Sequence, residues 1–434
     1  MSKSESLKVP PHLLHFPRKL VESLPYWIAA ALVALVSALY MKMFTLAEEW
    51  SLEHVTSYWI FILPVIGIVG SMTMGFFFSR ESLGTGIPQV IAATDLAPTK
   101  NKYMDKLLGL RVLIVKPIAS TFCILFGGVT GREGPTLHIS ASVFYLVTKY
   151  WPKKLTPPSL SSMVVAGGAA GLAAAFNTPL GGIAFAIEEL SKAHLSQMRT
   201  TIFQAVIIAG ILSQILLGNY LYFGTIQGSV ETQSALWQTV FLAVIIGAAA
   251  GLFSRCILTI TKWNGNKKYI HRLGFAVLCG VLLSVVIYFC GSNTLGAGKS
   301  VIVQIVNGEI APSFTLVVGR IFGNIFTFCG GVVGGVFAPS LASGAALAQW
   351  LTDVFTFTSP HLMIMVGMVA FLTGVTRAPL TSFILVMEMS NSHDSIMYLI
   401  LSSLVANSIS KLILHESFYE QIAHVFVEKA KVEA

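Results

Sequence analysis

Long apolar stretches, cut by short glycine- and proline-bearing interruptions, set the pattern of the chain. Tyr26 to Phe44, Ser57 to Phe78, Gln238 to Leu258 and Leu273 to Cys290 each run for close to 20 residues with almost no charge. A helix rises about 1.5 Å per residue and a bilayer core is about 30 Å thick, so each run is expected to cross a membrane as a helix. From Leu83 onward the apolar runs shorten. They are cut at Gly84-Thr85-Gly86-Ile87-Pro88, Gly131-Arg132-Glu133-Gly134-Pro135, Asn177-Thr178-Pro179, Gly334 to Pro339 and Arg377-Ala378-Pro379. Proline is tolerated in a helix's first turn, where its missing N–H is not needed, so each cut predicts a helix start. Starts at membrane depth are tolerated only where the freed backbone is buried or lines a polar cavity.

The pattern also repeats. Gly167 to Leu172 and Pro179 to Glu188 align with Gly367 to Leu372 and Pro379 to Glu388 at an offset of 200, with Gly, Ala, Leu, Pro, Leu and Glu coinciding. Gly131 to Pro135 falls near Gly335-Val336-Phe337-Ala338-Pro339 at an offset of 204. Two related halves are expected, about 25–220 and 235–425, within one membrane domain spanning 25–428. Residues 1–24 then read as an N-terminal segment and 429–434 as a tail.

Composition agrees. Charged residues are 11% and hydrophobic residues 54% of the chain, against roughly a quarter and just under half in soluble domains. The net charge of +8 is scattered over segment ends, such as Arg18, Lys19, Lys149, Lys267 and Lys268. That suits loops and anionic headgroups and excludes a nucleic-acid stripe. The five cysteines show no metal or disulfide spacing. No cleaved signal peptide is expected before Tyr26. Gly296 to Ser300 lacks the first glycine of a phosphate loop, His415-Glu416 lacks a second zinc-ligand histidine, and His138 reads as a packed helical histidine. No nucleophile with a nearby base stands out, so neither an enzyme nor a cofactor is expected.

The candidate chemistry lies at three of the helix starts. A helix N-terminus offers free N–H groups and about half a positive charge. If Gly84 to Pro88, Gly131 to Pro135 and Gly335 to Pro339 converge, they form a dehydrated anion site with no full charge. Thr85 adds a hydroxyl, with helix capping as its alternative role. Phe337 adds an apolar ring and a backbone N–H. Glu133 adds a carboxylate, which within a bilayer costs about 2.5 kcal/mol or more unless paired or facing water. Such a carboxylate competes with an anion: ionised it takes the anion's place, and protonated it withdraws. Arg132 beside it is assigned a structural role. Glu188 has a counterpart in Glu388, which suggests an architectural role in both halves. Glu189 faces Met389, so symmetry does not account for it.

These three motifs, in this order and backed by Ala173 to Pro179, resemble the signatures of the CLC family of chloride channels and chloride/proton antiporters, in its branch without C-terminal regulatory domains. The resemblance covers about residues 25 to 428. It implies an all-α integral membrane protein with two inverted repeats of tilted, broken helices. It also implies a homodimer with one anion pathway per subunit and both termini cytoplasmic. Thr85 stands where the family usually has an anion-coordinating serine, and the amides of Val336 and Phe337 match donors from the second half. Tyr419, in Glu416-Ser417-Phe418-Tyr419, resembles the tyrosine completing the site, with interfacial anchoring as its alternative role. Glu133 matches the gating glutamate, and Glu189 the proton-transfer glutamate of antiporters. Proton-coupled chloride exchange is therefore expected, in a bacterial inner (plasma) membrane and without nucleotide regulation. The alternatives are a passive CLC anion channel or an antiporter for nitrate or fluoride; an intramembrane enzyme or a receptor comes last.

Overall fold

The computed structural model describes residues 16–99, 102–152, 154–155, 157–190, 195–218, 221–226 and 233–432. Most of the expected 1–24 segment, with Lys3 and Lys8, and the end of the 429–434 tail lie outside the described residues. The described residues form eighteen α-helices and no sheet, only two isolated backbone bridges. The first half contains α1 (Phe16–His54), α2 (Leu63–Phe78), α3 (Ile87–Leu96), α4 (Met104–Leu108), α5 (Leu110–Leu125), α6 (Glu133–Lys149), α7 (Leu160–Phe176), α8 (Pro179–Phe185) and α9 (Leu195–Leu217). The second contains α10 (Gln233–Gly265), α11 (Tyr269–Cys290), α12 (Lys299–Val306), α13 (Phe314–Cys329), α14 (Phe337–Val354), α15 (Pro360–Thr376), α16 (Pro379–Ser390) and α17 (Ile396–Ile413), with α18 (Phe418–Val432) closing the chain.

Among the described residues, seven helical stretches are long and apolar enough to cross a membrane, and they cover the four runs expected above but for Ser57. One run differs in detail. Ser57 to Phe78 is a 3-10 turn over Ser57–Phe61 followed by α2, and the break falls just before Pro64 in the first turn of α2. Proline's missing N–H and fixed φ favour a new helix start there over a continuous span. Along α1, Ile28, Leu32, Leu35 and Leu39 are exposed at helical spacing while Ala29, Ala30 and Val33 are buried. An apolar outer stripe of this kind suits lipid rather than water.

Contacts recur between the halves. The α6–α7 pairing is matched by α14–α15, α1–α9 by α10–α17, and α1–α7 by α10–α15. Helices α7 and α15 both end on a left-handed residue, Asn177 at φ 58° and Arg377 at φ 63°, and a proline-led helix follows each. Two pairings, α2–α11 and α8–α16, join an element to its own counterpart, as helices beside a two-fold axis must. The alanines and glycines of α7 are buried, and Gly167 seats against Ala141 and Phe144 of α6. Small residues let membrane helices approach closely.

Candidate anion and proton site

All five predicted cuts begin helices: α3 at Ile87, α6 at Glu133, α8 at Pro179, α14 at Phe337 and α16 at Pro379. The three expected to converge do so through their backbones. Gly131 N–H donates to Gly335 O at 2.8 Å, and Gly335 N–H donates back to Gly131 O at 2.9 Å. Gly84 N–H donates to Val332 O at 2.9 Å, and Gly334 N–H to Gly84 O at 3.2 Å. An exchanged pair of equal bonds is what an inverted repeat produces where its axis crosses the chain. The starts of α6 and α14 are built alike: Thr136 N–H donates to Arg132 O, and Ser340 N–H to Val336 O, each at 2.9 Å. Pro135 and Pro339 hold the third helical position in each, and Pro88 the second in α3, so the leading N–H groups have no intrahelical partner.

Two glycines make this approach possible. Gly86 has φ 105°, and a Cβ there would lie 2.6 Å from His138 Cβ and 2.8 Å from Gly134 O. A Cβ on Gly131 would run into Glu133 Oε2. The start of α6 is therefore shaped around its own carboxylate. Gly134 seats against the Thr85 carbonyl, locking α6 to the start of α3.

Thr85, Val336, Phe337, Glu133 and Tyr419 are all buried, at 1% exposure or less. Thr85 Oγ1 accepts from Ile87 N–H at 3.1 Å, which caps α3 and leaves the hydroxyl proton to donate elsewhere. The capping and anion-coordinating roles of Thr85 are thus compatible. Tyr419 packs on Phe418, and its hydroxyl has no hydrogen-bond partner among the described residues. A buried polar atom left unsatisfied costs about 1–3 kcal/mol. A donor held unsatisfied on α18, which packs against α3, is suited to an anionic guest.

Arg132 anchors the start of α6 to a neighbouring helix. Its guanidinium donates to Thr45 Oγ1 at 2.7 Å and to Met41 O at 3.4 Å, tying the α6 start to α1. Glu188 accepts from Leu380 N–H at 2.9 Å and Thr381 N–H at 2.7 Å, while Glu388 accepts from Leu180 N–H at 3.2 Å and Gly181 N–H at 2.9 Å. Each acid caps the first turn of the other half's short helix, which is its architectural role. Glu189 is buried to 5% exposure on a π-turn, Ala186–Leu190. Successive residues on that turn are not set at the α-helical angle to each other. The wider turn ends α8 at Phe185, whereas α16 continues regularly to Ser390, so the halves diverge where the second acid sits.

Several site residues went unread in the sequence. Tyr222, between α9 and α10, donates its hydroxyl to Glu133 Oε1 at 3.1 Å. Its loop has no motif, so only the fold could bring it there. Lys116, the lone charge between Val112 and Val129, is fully buried and donates to Ser82 O at 2.9 Å and Gly84 O at 3.0 Å, holding the α3 start. Its isolation in an apolar run was the available signal. Gly296-Ala297-Gly298 is the counterpart of Gly84-Thr85-Gly86, with left-handed glycines at both ends of each motif (φ 77° and 94°, and 75° and 105°). It begins α12, and Glu48 of α1 accepts from Ala297 N–H there at 2.6 Å. His138 is buried, and its Nε2–H donates to Leu107 O at 2.8 Å, as a packed histidine would.

Two cavities approach the site. One of about 540 Å³ reaches Gly84 and Thr85 and carries Arg80, Lys262, Arg272 and Lys429 on its wall. The other, about 390 Å³, reaches Arg132 and Tyr222 and is lined by Glu48, Glu49 and Lys299. A lining rich in basic groups raises the local anion concentration. The arrangement can hold a small anion between helix starts and seat a competing carboxylate among them.

Known proteins share this architecture. A family model described as voltage gated chloride channel matches residues 76–411. The H(+)/Cl(-) exchange transporter ClcA of Vibrio cholerae serotype O1 (strain M66-2) is 30% identical over 381 residues, covering 83% of this chain and 79% of its own. The crystal structure of a slow cyanobacterial Cl-/H+ antiporter superposes with a TM-score of 0.82 at 20% identity, covering 94% of this chain and 98% of that one. A CLC-type fluoride/proton antiporter superposes at 0.79, also at 20% identity, covering 92% and 96%. With a family model matched over most of its length, on a fold whose broken helices meet at one buried site, the chain belongs to the voltage gated chloride channel (CLC) family.

Proposed function

We infer that this protein is a proton-coupled chloride antiporter, exchanging chloride for protons across a membrane. The observation that carries the reading is the pair of buried acids, Glu133 at the start of α6 and Glu189 on the π-turn after α8, in a structure that also buries the Tyr419 hydroxyl with no partner among the described residues. A channel needs a path for the anion alone. A second buried acid that no symmetry accounts for supplies a path for the proton. The 30% identity to a transporter named for H(+)/Cl(-) exchange supports the same reading.

In this mechanism the anion sits between the starts of α3, α6 and α14, held by the Thr85 and Tyr419 hydroxyls and the amides of Val336 and Phe337. Ionised Glu133 occupies the N–H groups in the anion's stead; protonated, it loses that attraction and swings out. Glu189 passes the proton to Glu133 from the opposite side, by a route partly separate from the anion's. The cycle moves chloride and protons, with O–H bonds of the two carboxyl groups made and broken as the proton passes, and converts no substrate. We further assign a homodimer with one pathway per subunit, cytoplasmic termini, repeats over about 25–220 and 235–425, and a bacterial inner membrane.

Purified protein in liposomes under a chloride gradient, with external pH recorded, tests this. Proton movement against its own gradient is the expected result. Chloride flux without proton movement means a passive channel, and fluoride movement in preference to chloride would reassign the substrate to that of one structural neighbour. Absence of any anion flux overturns transport altogether.

A further inference from the structure

We propose that Tyr222 is a latch on the Glu133 carboxylate, a positioning residue that sets the pH at which the plug is released. The proposal rests on Glu133 being the movable acid. Tyr222 belongs to neither repeat's helices, yet its hydroxyl donates to Glu133 Oε1 at 3.1 Å while its ring is fixed on three sides. Phe176 stands edge-on at 5.2 Å between centroids, Phe223 at 5.0 Å, and the Lys299 ammonium lies over the face at 4.7 Å. Phe176 in turn packs on Phe337 at 5.4 Å, so the clamp and the anion site share a wall. Tyr222 is 2% exposed and lines the cavity of about 390 Å³. It therefore stands where the arm of Glu133 would emerge.

A donor to a carboxylate favours its ionised form and holds it in one place. The other groups acting on Glu133 differ from Tyr222. Arg132 is tied to α1, Glu48 and Tyr40 come from α1 itself, and Tyr419 comes from α18. The Lys299 ammonium lies over the Tyr222 ring. Tyr222 binds the carboxylate directly through its side chain and also lines the cavity. It holds the arm closed until protonation weakens the bond.

The test is chloride flux and proton coupling against pH in liposomes. Tyr222→Phe keeps the ring clamp and removes the donor, so the plug should release earlier and the profile move to higher pH by about one unit, with coupling retained. Replacement of Tyr222 by 3-fluorotyrosine, a stronger O–H donor of nearly the same size, should move it to lower pH. In a Glu133→Gln background Tyr222→Phe should change nothing, whereas a merely structural tyrosine would slow that variant too. Profiles that superimpose for both Tyr222 replacements overturn the latch. Full coupling in Glu133→Gln itself would instead overturn the reading of Glu133 on which the latch depends.

Discussion

At the scale of single residues, the two acids make separable predictions. Glu133→Ala should leave chloride flux and abolish its proton coupling, read as chloride release with no accompanying pH change. Glu189→Val should stop proton transport while chloride still moves, with coupling lost and the anion site intact. Tyr419→Phe removes the buried hydroxyl that no described residue satisfies. One hydrogen bond to a charged partner is worth about 1.5 kcal/mol or more, so chloride binding measured by titration calorimetry should weaken about tenfold. The placing of Glu133, Thr85, Val336 and Phe337 at helix starts was legible because each sits within a Gly/Pro cut that the backbone requires. Tyr222 and Glu48 were not. Each acts across a long sequence separation, Tyr222 on Glu133 and Glu48 on Ala297, and neither leaves a local pattern.

At the scale of elements, the reciprocal caps of Glu188 and Glu388 give a prediction of a different kind. A carboxylate on the first-turn N–H groups of a helix contributes about 1 kcal/mol, so Glu388→Ala should lower the melting temperature in detergent by about two degrees while chloride and proton fluxes stay coupled. Glu188→Ala should do the same, because it caps α16 as Glu388 caps α8. Loss of proton coupling in Glu188→Ala would exchange the roles assigned to neighbouring acids. The helix starts were readable from proline position alone. The π-turn at Ala186–Leu190 was not, since no glycine or proline marks it; its only trace is that Glu189 lacks an acidic counterpart at Met389. Gly296 to Ser300, set aside in the sequence as an incomplete phosphate motif, was not matched to Gly84 to Pro88 either, because beyond the two glycines the likeness lies in positive φ values.

For the whole molecule, acid should accelerate transport. Protonation removes the charge that seats Glu133, so chloride flux rises as pH falls and is complete once the acid is fully protonated. In Glu133→Gln the same measurement should be flat. Both halves contribute to this behaviour unequally, and the reason was visible early: one helix start carries Glu133 where its counterpart carries Phe337.

The paired hydrogen bonds between Gly131 and Gly335 add a mechanical consequence. They lie at the pivot itself, so rocking one half against the other would shear both bonds together with those joining Gly84 to Val332 and Gly334. Exchange is therefore expected to run around a fixed hub, with side arms as its moving parts. The mass displaced in each cycle would be a carboxylate and its few methylenes, set against a frame that stays bolted through every turnover.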